Sequence, residues 1–227
     1  MQHRIGNGYV YCDQYTDAGE AEKTLRDTLD SAPLEEARHL RFVTGRRKKF
    51  WNKNCVAIGL SAGFMEPLES TSLHLIQSAI MRLITLFPDQ DMSPLLADEY
   101  NRVTTEEYKY IRDFLVLHYL ANEREEPFWK HMAALEISEN LRFKIDNFIE
   151  NGLISLDARE LFGKPSWLAV MVGQGLIPKR APGLSALADA REIPVMKRFS
   201  QVKEAIYAAT SAMPSHSEAI KSIMNSR

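Results

Sequence analysis

The sequence predicts an α+β fold that is mainly helical, and three observations support this prediction. Before residue 60, short apolar and partly β-branched runs alternate with turn residues, a pattern typical of strands. From residue 70 onward, apolar residues recur at three- and four-residue steps, which indicates amphipathic helices. The chain has 227 residues, of which 45% are hydrophobic and 26% charged. It can therefore bury one substantial core and a smaller second lobe.

The first 69 residues are predicted to contain a small sheet and one polar helix. Strand signals cover residues 8–15, 40–43, 49–51 and 55–59, and the helix covers residues 17–30. Thr44 and Gly45 are predicted to form a hairpin turn. The last strand is apolar and suits a buried position. Gly59 and Gly63 then let the backbone bend or pass close to a ligand.

Residues 70–213 are predicted to be helical. The first helix begins at Ser70 and stops before Pro88. A second helix carries an apolar face between Leu96 and His118, and a third runs from Pro127 to a stop at Gly152. Two more helices are predicted over residues 166–172 and 194–213, with a loose stretch over 179–193 and a polar tail over 214–227.

Composition argues against several classes of protein. The net charge is -2 and the isoelectric point is near 6.3, so no basic field for nucleic acid is predicted. The cationic run over residues 45–49 is predicted to be a solvated turn or a rim. Cys12, Cys55 and the six histidines show no disulfide or metal-ligand spacing. No apolar run is long enough to cross a membrane and no signal peptide is visible, so a cytoplasmic location is predicted.

A cluster of polar residues lies at the mouth of the helix that follows the last strand. Ser70, Thr71 and Ser72 fall where the amide groups of a first helical turn lack partners, and such a terminus favours an anion. Glu69 lies just ahead of these amides, and Pro67 restricts the backbone that presents it. The same spacing is also typical of a well-capped helix without a ligand.

The residues themselves go beyond this spacing. Residues 55–76, CVAIGLSAGFMEPLESTSLHLI, resemble the NxVAIGLxxGFxEPLESTS signature of flavin-dependent tryptophan halogenases. Residues 6–11, 42–46 and 51–54 resemble the preceding segments of that family, and residues 167–178 resemble a later one. The resemblance implies the C-terminal part of a two-lobed FAD-dependent halogenase or monooxygenase-like fold. Residues 1–69 would end the flavin-binding module, and residues 70–213 would form the helical substrate-side module.

The resemblance also implies a chemistry. In this family, reduced FAD reacts with oxygen and halide to make hypohalous acid, which chlorinates or brominates an indole-type aromatic such as tryptophan. Glu69 would orient the electrophile or accept the ring proton, and Ser70 would link the flavin side to the substrate side. The amides of Thr71 and Ser72 would hold halide, although some members have glycine at the position of Ser72. Cofactor contacts would come from Gly59, Gly63 and Pro67.

Several aromatic and histidine side chains are candidates either for the site or for the core. Phe162 and Trp167 are candidate substrate-binding residues, with a buried core position as the alternative. Phe128 and Trp129 are expected to belong to a core. His74 and His118 lie on apolar helix faces and are expected to be satisfied core histidines rather than ligands or bases.

Other features of the family have no counterpart in this sequence. The family's first half carries a GxGxxG fingerprint, a tunnel lysine and a WxWxIP segment, none of which occurs here. Lys48, Lys49 and Lys53 are predicted to be surface charges. The chain is therefore expected to be a C-terminal fragment that is inactive alone. Its implied partners are the missing N-terminal half, a small aromatic substrate and a separate flavin reductase, with a homodimer left open.

Two other classes of protein remain open at this point. A flavin-dependent aromatic hydroxylase would close a similar strand, loop and helix on its flavin, but usually shows Gly-Asp where this chain has Gly59 and Leu60. A non-catalytic helical interaction protein would account for residues 90–213 without any site. It would not account for the EPLESTS segment.

Overall fold

A computed structural model of the chain describes residues 5–180, 182–183 and 195–226. The chain divides into two compact units. The larger unit comprises Tyr11–Ala18 and Glu35–Arg180, and the other comprises Met1–Val10, Gly19–Leu34 and Ala181–Arg227. The predicted boundary at residues 69 and 70 falls inside the larger unit.

Helices dominate the described residues, as predicted. The helices are α1 (Ala18–Asp27), α2 (Ser72–Thr85), α3 (Pro94–Leu120), α4 (Pro127–Ala133), α5 (Glu139–Asn151), α6 (Lys164–Gly173), α7 (Val195–Ala212) and α8 (His216–Asn225). The strands are β1 (Gly45–Arg46), β2 (Trp51–Asn52), β3 (Cys55–Val56) and β4 (Gly63–Phe64). Strand β1 pairs antiparallel with β4, and β2 pairs antiparallel with β3.

The sheet is much smaller than the sequence predicts. Residues 8–15 and 40–43 form no strand, because no neighbouring segment in the described chain supplies a backbone ladder for them. The predicted strands over residues 49–51 and 55–59 shrink to β2 and β3. The predicted turn at Thr44 and Gly45 is wrong, because Gly45 pairs with Phe64. The hairpin turn instead lies at Lys53 and Asn54, where Lys53 has a φ of 55°.

The predicted helices are confirmed with two corrections. The third predicted helix is two helices, α4 and α5, and Ser138 begins the second by accepting a hydrogen bond from the Leu141 amide at 3.1 Å. Helix α5 ends at Gly152, which has a left-handed φ of 64°. The predicted polar tail contains α8, which Ser215 and Glu218 start as a capping box. Residues 181 and 184–193 of the predicted loose stretch lie outside the described residues.

Two hydrophobic clusters form the core of the larger unit. The first joins the strands to α2 and to α3 as far as Leu115, and its fully buried members include Phe50, Tyr100 and Ile111. The second joins the end of α3 to α5 and α6 around Phe114 and Trp167. Helix α3 therefore contributes to both clusters. Its C-terminal end contacts the polar loop that precedes α2.

Helix α3, with 27 residues, is the longest of the helices in the described part of the chain, and it carries many charged side chains. Among the helices that the structure describes, none is both long enough and apolar enough to span a lipid bilayer.

Candidate functional site

The loop before α2 has an unusual backbone. A single 3-10 turn covers Leu68–Ser70, and within it Glu69 adopts φ 61° and ψ 6°. Ser70 follows with a φ of 52°. Residues other than glycine rarely adopt this left-handed region, and each such residue costs on the order of 1–3 kcal/mol. Two consecutive left-handed residues must therefore be held by the surrounding structure.

The terminus of α2 that follows this loop has no side-chain cap. Thr71 precedes the first helical residue with φ -72° and ψ -14°, and its hydroxyl does not accept a hydrogen bond from the first turn. Its carbonyl accepts from the Leu75 amide at 3.0 Å, whereas the Ser70 amide already donates to the Pro67 carbonyl at 3.0 Å. The first-turn amides of α2, including that of Ser72, thus form the positive end of the helix.

Both glutamates of the loop are held by neighbouring residues of α3. Oε1 of Glu69 lies 3.1 Å from Nε2 of His118. The hydroxyl of Tyr119 donates a hydrogen bond to Oε2 of Glu66. Burial, followed by this hydrogen bond, raises the pKa of Tyr119 well above its ordinary value. Two contacts from consecutive positions of one helix therefore fix the strained loop.

A small cavity lies beside the start of α2. Its volume is about 20 Å³, enough for roughly one water-sized group. The cavity brings together three residues that the sequence predicts for the site, namely Gly59, Gly63 and Ser72. Its remaining lining comes from Leu60, Leu75, Ile76 and Tyr108.

The two glycines of the cavity also have structural reasons to be glycine. A Cβ atom at Gly63 would lie 2.6 Å from the Gly45 carbonyl oxygen, so the β1–β4 pairing needs this residue. Gly59 has a left-handed φ of 69°. Pro67 forms the start of the 3-10 turn with φ -71°. The predicted contact of these three residues with a cofactor stays a prediction.

The two candidate substrate-binding aromatics differ in exposure. Trp167 is completely buried, with its ring packed against Phe114 at 5.1 Å and the Lys144 ammonium group 4.8 Å from its centroid. Within the described residues its indole N–H has no hydrogen-bond partner. The structure thus places Trp167 in the core, the alternative that the sequence left open, and its contact with a substrate stays a prediction. Phe162 is half-buried and stacks on Phe114 at 3.9 Å.

Both histidines that were expected in a core contact glutamate side chains instead. His74 is half-exposed and lies 3.1 Å from Glu107. His118 contacts Glu69 across 49 positions of sequence. The sequence could not predict the contact between His118 and Glu69. The apolar spacing of α3 places His118 on a buried face, but it does not show which loop packs against that face. His118 and Tyr119 are the site residues that the sequence did not identify.

Aromatic side chains surround the Glu66 contact. Tyr119 stacks on Trp129 at 5.7 Å and meets the edge of Phe128 at 6.1 Å. Phe128 and Trp129 are half-buried and belong to this cluster. The three lysines expected on the surface, Lys48, Lys49 and Lys53, are exposed.

Comparison with protein families agrees with the sequence motif. The family model described as tryptophan halogenase matches residues 1–190. The chain is 35% identical over 221 residues to 7-chloro-L-tryptophan 6-halogenase KtzR of Kutzneria sp. strain 744, covering 95% of this chain and 42% of that protein. It is 36% identical over 224 residues to tryptophan 6-halogenase SttH of Streptomyces toxytricini, with the same two coverages.

Comparison with solved structures also matches flavin-dependent halogenases. The flavin-dependent halogenase Xcc4156 from Xanthomonas campestris matches with a TM-score of 0.87 and 38% identity, over 93% of this chain and 42% of that chain. BrvH, a flavin-dependent halogenase from Brevundimonas sp. BAL3, matches with a TM-score of 0.82 and 35% identity, over 91% and 42%. The chain thus spans about two fifths of the length of these relatives.

Proposed function

The chain belongs to the tryptophan halogenase family, and from this premise we propose that it forms the substrate-side part of a flavin-dependent halogenase. The complete enzyme would chlorinate or brominate an indole-type aromatic such as tryptophan. Because the chain spans about two fifths of its relatives, the activity is proposed for these residues together with the remainder of such an enzyme.

Glu69 is proposed to carry the acid-base or electrostatic role. Reduced FAD with oxygen and halide would supply the electrophilic halogen. The carboxylate of Glu69 would either accept the proton from the ring carbon that takes the halogen, or orient the electrophile. When the proton leaves, the electron pair of the C–H bond returns to the ring and restores its aromaticity. The Glu69 side chain is about one-third exposed, which leaves it accessible to a substrate.

The start of α2 is proposed to hold the halide. The uncapped first turn offers the Thr71 and Ser72 amides, and the positive end of the helix favours an anion. The small cavity beside Ser72 has room for a group about the size of a water molecule. Ser70 lies between this terminus and Glu69 and would connect the halide side to the substrate side.

The described residues fit one wall of a flavin site rather than a whole one. Gly59, Gly63 and Pro67 are the residues proposed to contact the flavin. The cavity that Gly59 and Gly63 line, at about 20 Å³, is far below the roughly 300–1,000 Å³ of ordinary small-molecule sites. The remaining contacts would come from the part of the enzyme that this chain does not span, and a separate flavin reductase would supply electrons.

One observation carries the proposal most directly. Glu69 and Ser70 have a strained backbone, and the carboxylate of Glu69 is partly exposed immediately ahead of an uncapped helix terminus. A loop that only joined a strand to a helix would need neither the strain nor the contacts to α3.

A hybrid enzyme tests this function. Residues 1–227 would be fused to the part of Xcc4156 that they do not match, and this protein is called the hybrid enzyme below. With FAD, a flavin reductase, bromide and an indole substrate, we expect a bromide-dependent mass shift of the substrate. Residues 1–227 alone should bind negligible FAD in equilibrium dialysis and give no product above free flavin. A hybrid that binds FAD stoichiometrically but never brominates an indole would contradict the proposal.

A further inference from the structure

We propose that His118 is a positioning residue for Glu69, and that the two side chains hold a single proton between Oε1 and Nε2. The inference rests on the proposed function of Glu69 for its consequence, because the contact matters to catalysis only if Glu69 acts in the reaction. The contact between His118 and Glu69 does not depend on that function, and it can be tested without measuring catalysis.

The partners of the imidazole determine which of its nitrogens carry protons. Nδ1 of His118 lies 2.9 Å from the carbonyl oxygen of Phe114, one helical turn earlier. A carbonyl oxygen can only accept a hydrogen bond, so Nδ1 must carry a proton. The other nitrogen, Nε2, faces Oε1 of Glu69 at 3.1 Å.

This arrangement leaves one proton for the second contact. A neutral imidazole with its proton on Nδ1 presents a lone pair at Nε2, which would oppose the lone pairs of an ionised carboxylate. The contact is favourable only when a proton lies between the two atoms. That proton belongs either to an imidazolium facing a carboxylate or to a carboxylic acid facing a neutral imidazole.

The surroundings hold the imidazole in this orientation. The His118 side chain is 16% exposed. Its ring meets the edge of the Phe114 ring at 5.0 Å, and Phe114 is itself buried in the second cluster. The bond to the Phe114 carbonyl fixes the rotation of the imidazole about its side chain. A ring fixed on α3 can therefore hold a carboxylate whose own backbone is strained.

The contact with His118 gives the two carboxylate oxygens of Glu69 different roles. Oε1 is occupied by His118, whereas Oε2 has no hydrogen-bond partner among the residues that the structure describes. In the proposed reaction Oε2 takes the ring proton, and the C–H electron pair returns to the ring. For Oε2 to take the ring proton, the proton shared with His118 must reside on Nε2, so that the transfer leaves a neutral Glu69 carboxylic acid beside an imidazolium. The contact with His118 keeps the carboxyl group in its orientation during the transfer.

Two substitutions separate this role from simple packing. In His118→Gln the side-chain amide reaches the position of Nε2 and can still donate to Glu69, while the bond to the Phe114 carbonyl is lost. In His118→Asn the amide lies near the position of Nδ1 and can still donate to that carbonyl, while the contact with Glu69 is lost. In the hybrid enzyme we expect His118→Asn to lower kcat about 10- to 100-fold with little change in the KM for the indole substrate. His118→Gln should lose much less.

The proton can be observed directly by nitrogen NMR of the full chain labelled at histidine. The signal of His118 is assigned by its loss in His118→Gln. We expect Nδ1 to be protonated, and Nε2 to be protonated or to exchange its proton with Glu69. Glu69→Gln should convert His118 to the neutral form with its proton on Nδ1, whereas Glu66→Gln should leave the His118 signals unchanged.

Several results would overturn the inference. A neutral His118 with its proton on Nε2, or a His118 signal that ignores Glu69→Gln, would show that no proton is shared. Equal losses of kcat in His118→Gln and His118→Asn would indicate a packing role only. These failures are distinguishable from failure of the proposed function, since a hybrid enzyme with Glu69→Gln and full turnover would refute that function even if the NMR coupling were present.

Discussion

The hydroxyl of Tyr119 donates a hydrogen bond to the carboxylate of Glu66, three residues ahead of Glu69 on the same loop. Tyr119 follows His118 on α3, so the two neighbours hold both carboxylates of the loop. The loop is thereby tied to a helix that belongs to both hydrophobic clusters. The strained backbone at Glu69 and Ser70 is stabilised by these contacts rather than by local sequence.

Removing the Tyr119 hydroxyl should weaken the loop. Tyr119→Phe leaves the half-buried carboxylate of Glu66 without its donor, and hydrogen bonds to charged groups contribute about 1.5–3 kcal/mol. We expect the free energy of unfolding, measured in urea, to fall by about that amount. Tyr9→Phe is the matched control, because Tyr9 is exposed. An unchanged free energy of unfolding in Tyr119→Phe would mean that this contact does not hold the loop.

Lys144 and Glu160 form a buried ion pair whose effect on the free energy of unfolding can be measured. Both side chains are almost fully buried, and Glu160 also accepts a hydrogen bond from the Asp157 amide at 3.0 Å. Glu160→Gln leaves a buried ammonium group without its counter-charge, so we expect a loss of about 3–5 kcal/mol in the free energy of unfolding. The double variant Lys144→Met with Glu160→Gln should recover much of this loss.

The exposed pair of Lys179 and Glu150 is the control for that experiment. Glu150→Gln should change the free energy of unfolding by less than about 1 kcal/mol, since exposed ion pairs contribute little. Similar losses at Glu150 and Glu160 would show that burial does not govern the Lys144 contact.

Alkaline pH should destabilise the fold through Tyr108. Burial raises the pKa of Tyr108 to about 12, whereas an unfolded tyrosine has a pKa of about 10. The folded state therefore favours the neutral phenol. The stability that this preference contributes is fully present below about pH 10 and is lost as the pH rises toward about 12.

A tyrosine variant tests this pH dependence. The Tyr108 hydroxyl makes only a long contact, 3.5 Å to the Gly63 carbonyl, so Tyr108→Phe should fold. Urea unfolding across this alkaline range should show a shallower decline in Tyr108→Phe than in the unmodified chain, and Tyr9→Phe should show the unmodified slope. Identical slopes in all three proteins would contradict the assignment to Tyr108.

The halide site is tested by removing one amide. Thr71 has a φ of -72°, which suits proline, and Thr71→Pro deletes its N–H while keeping the carbonyl that Leu75 uses. In the hybrid enzyme we expect the bromide concentration for half-maximal rate to rise several-fold, with a smaller change in the KM for the indole substrate. Thermal unfolding would check that the variant folds. Equal changes in both concentrations would argue against a halide site at this terminus.

The sequence predicted the helices better than the sheet, for a physical reason. The sequence of helix α2 marks both of its ends, with polar residues at its start and Pro88 after its end. Its backbone hydrogen bonds also form within the helix, so no distant segment is needed to form it. A strand needs a partner, so the apolar residues 8–15 could not reveal that no ladder pairs with them in the described chain. The break between α4 and α5 was missed because the apolar spacing continues across it, while Ser138 starts a new helix.

The candidate site was predictable only in part. The motif around Glu69 indicated the loop, the helix terminus and the family. It gave no indication of the left-handed backbone at Glu69 and Ser70, which depends on contacts from α3. The partners His118 and Tyr119 lie 49 and 53 positions away from the glutamates they bind. The sequence left Trp167 either as a substrate contact or as a core residue, and the structure shows that its large ring is fully buried.

The central claim, that Glu69 is the catalytic carboxylate of a halogenase site, is tested most directly by the bromination rate of the hybrid enzyme in Glu69→Gln and Glu66→Gln. Both changes remove one charge from the same loop, and FAD binding measured on each variant checks that the site is intact. We predict that Glu69→Gln lowers kcat about 10²- to 10⁴-fold, because it removes the base or the positioning charge. Glu66→Gln should lower kcat by less than about tenfold. Near-normal bromination by Glu69→Gln, or an equal loss in the two variants, would contradict the account.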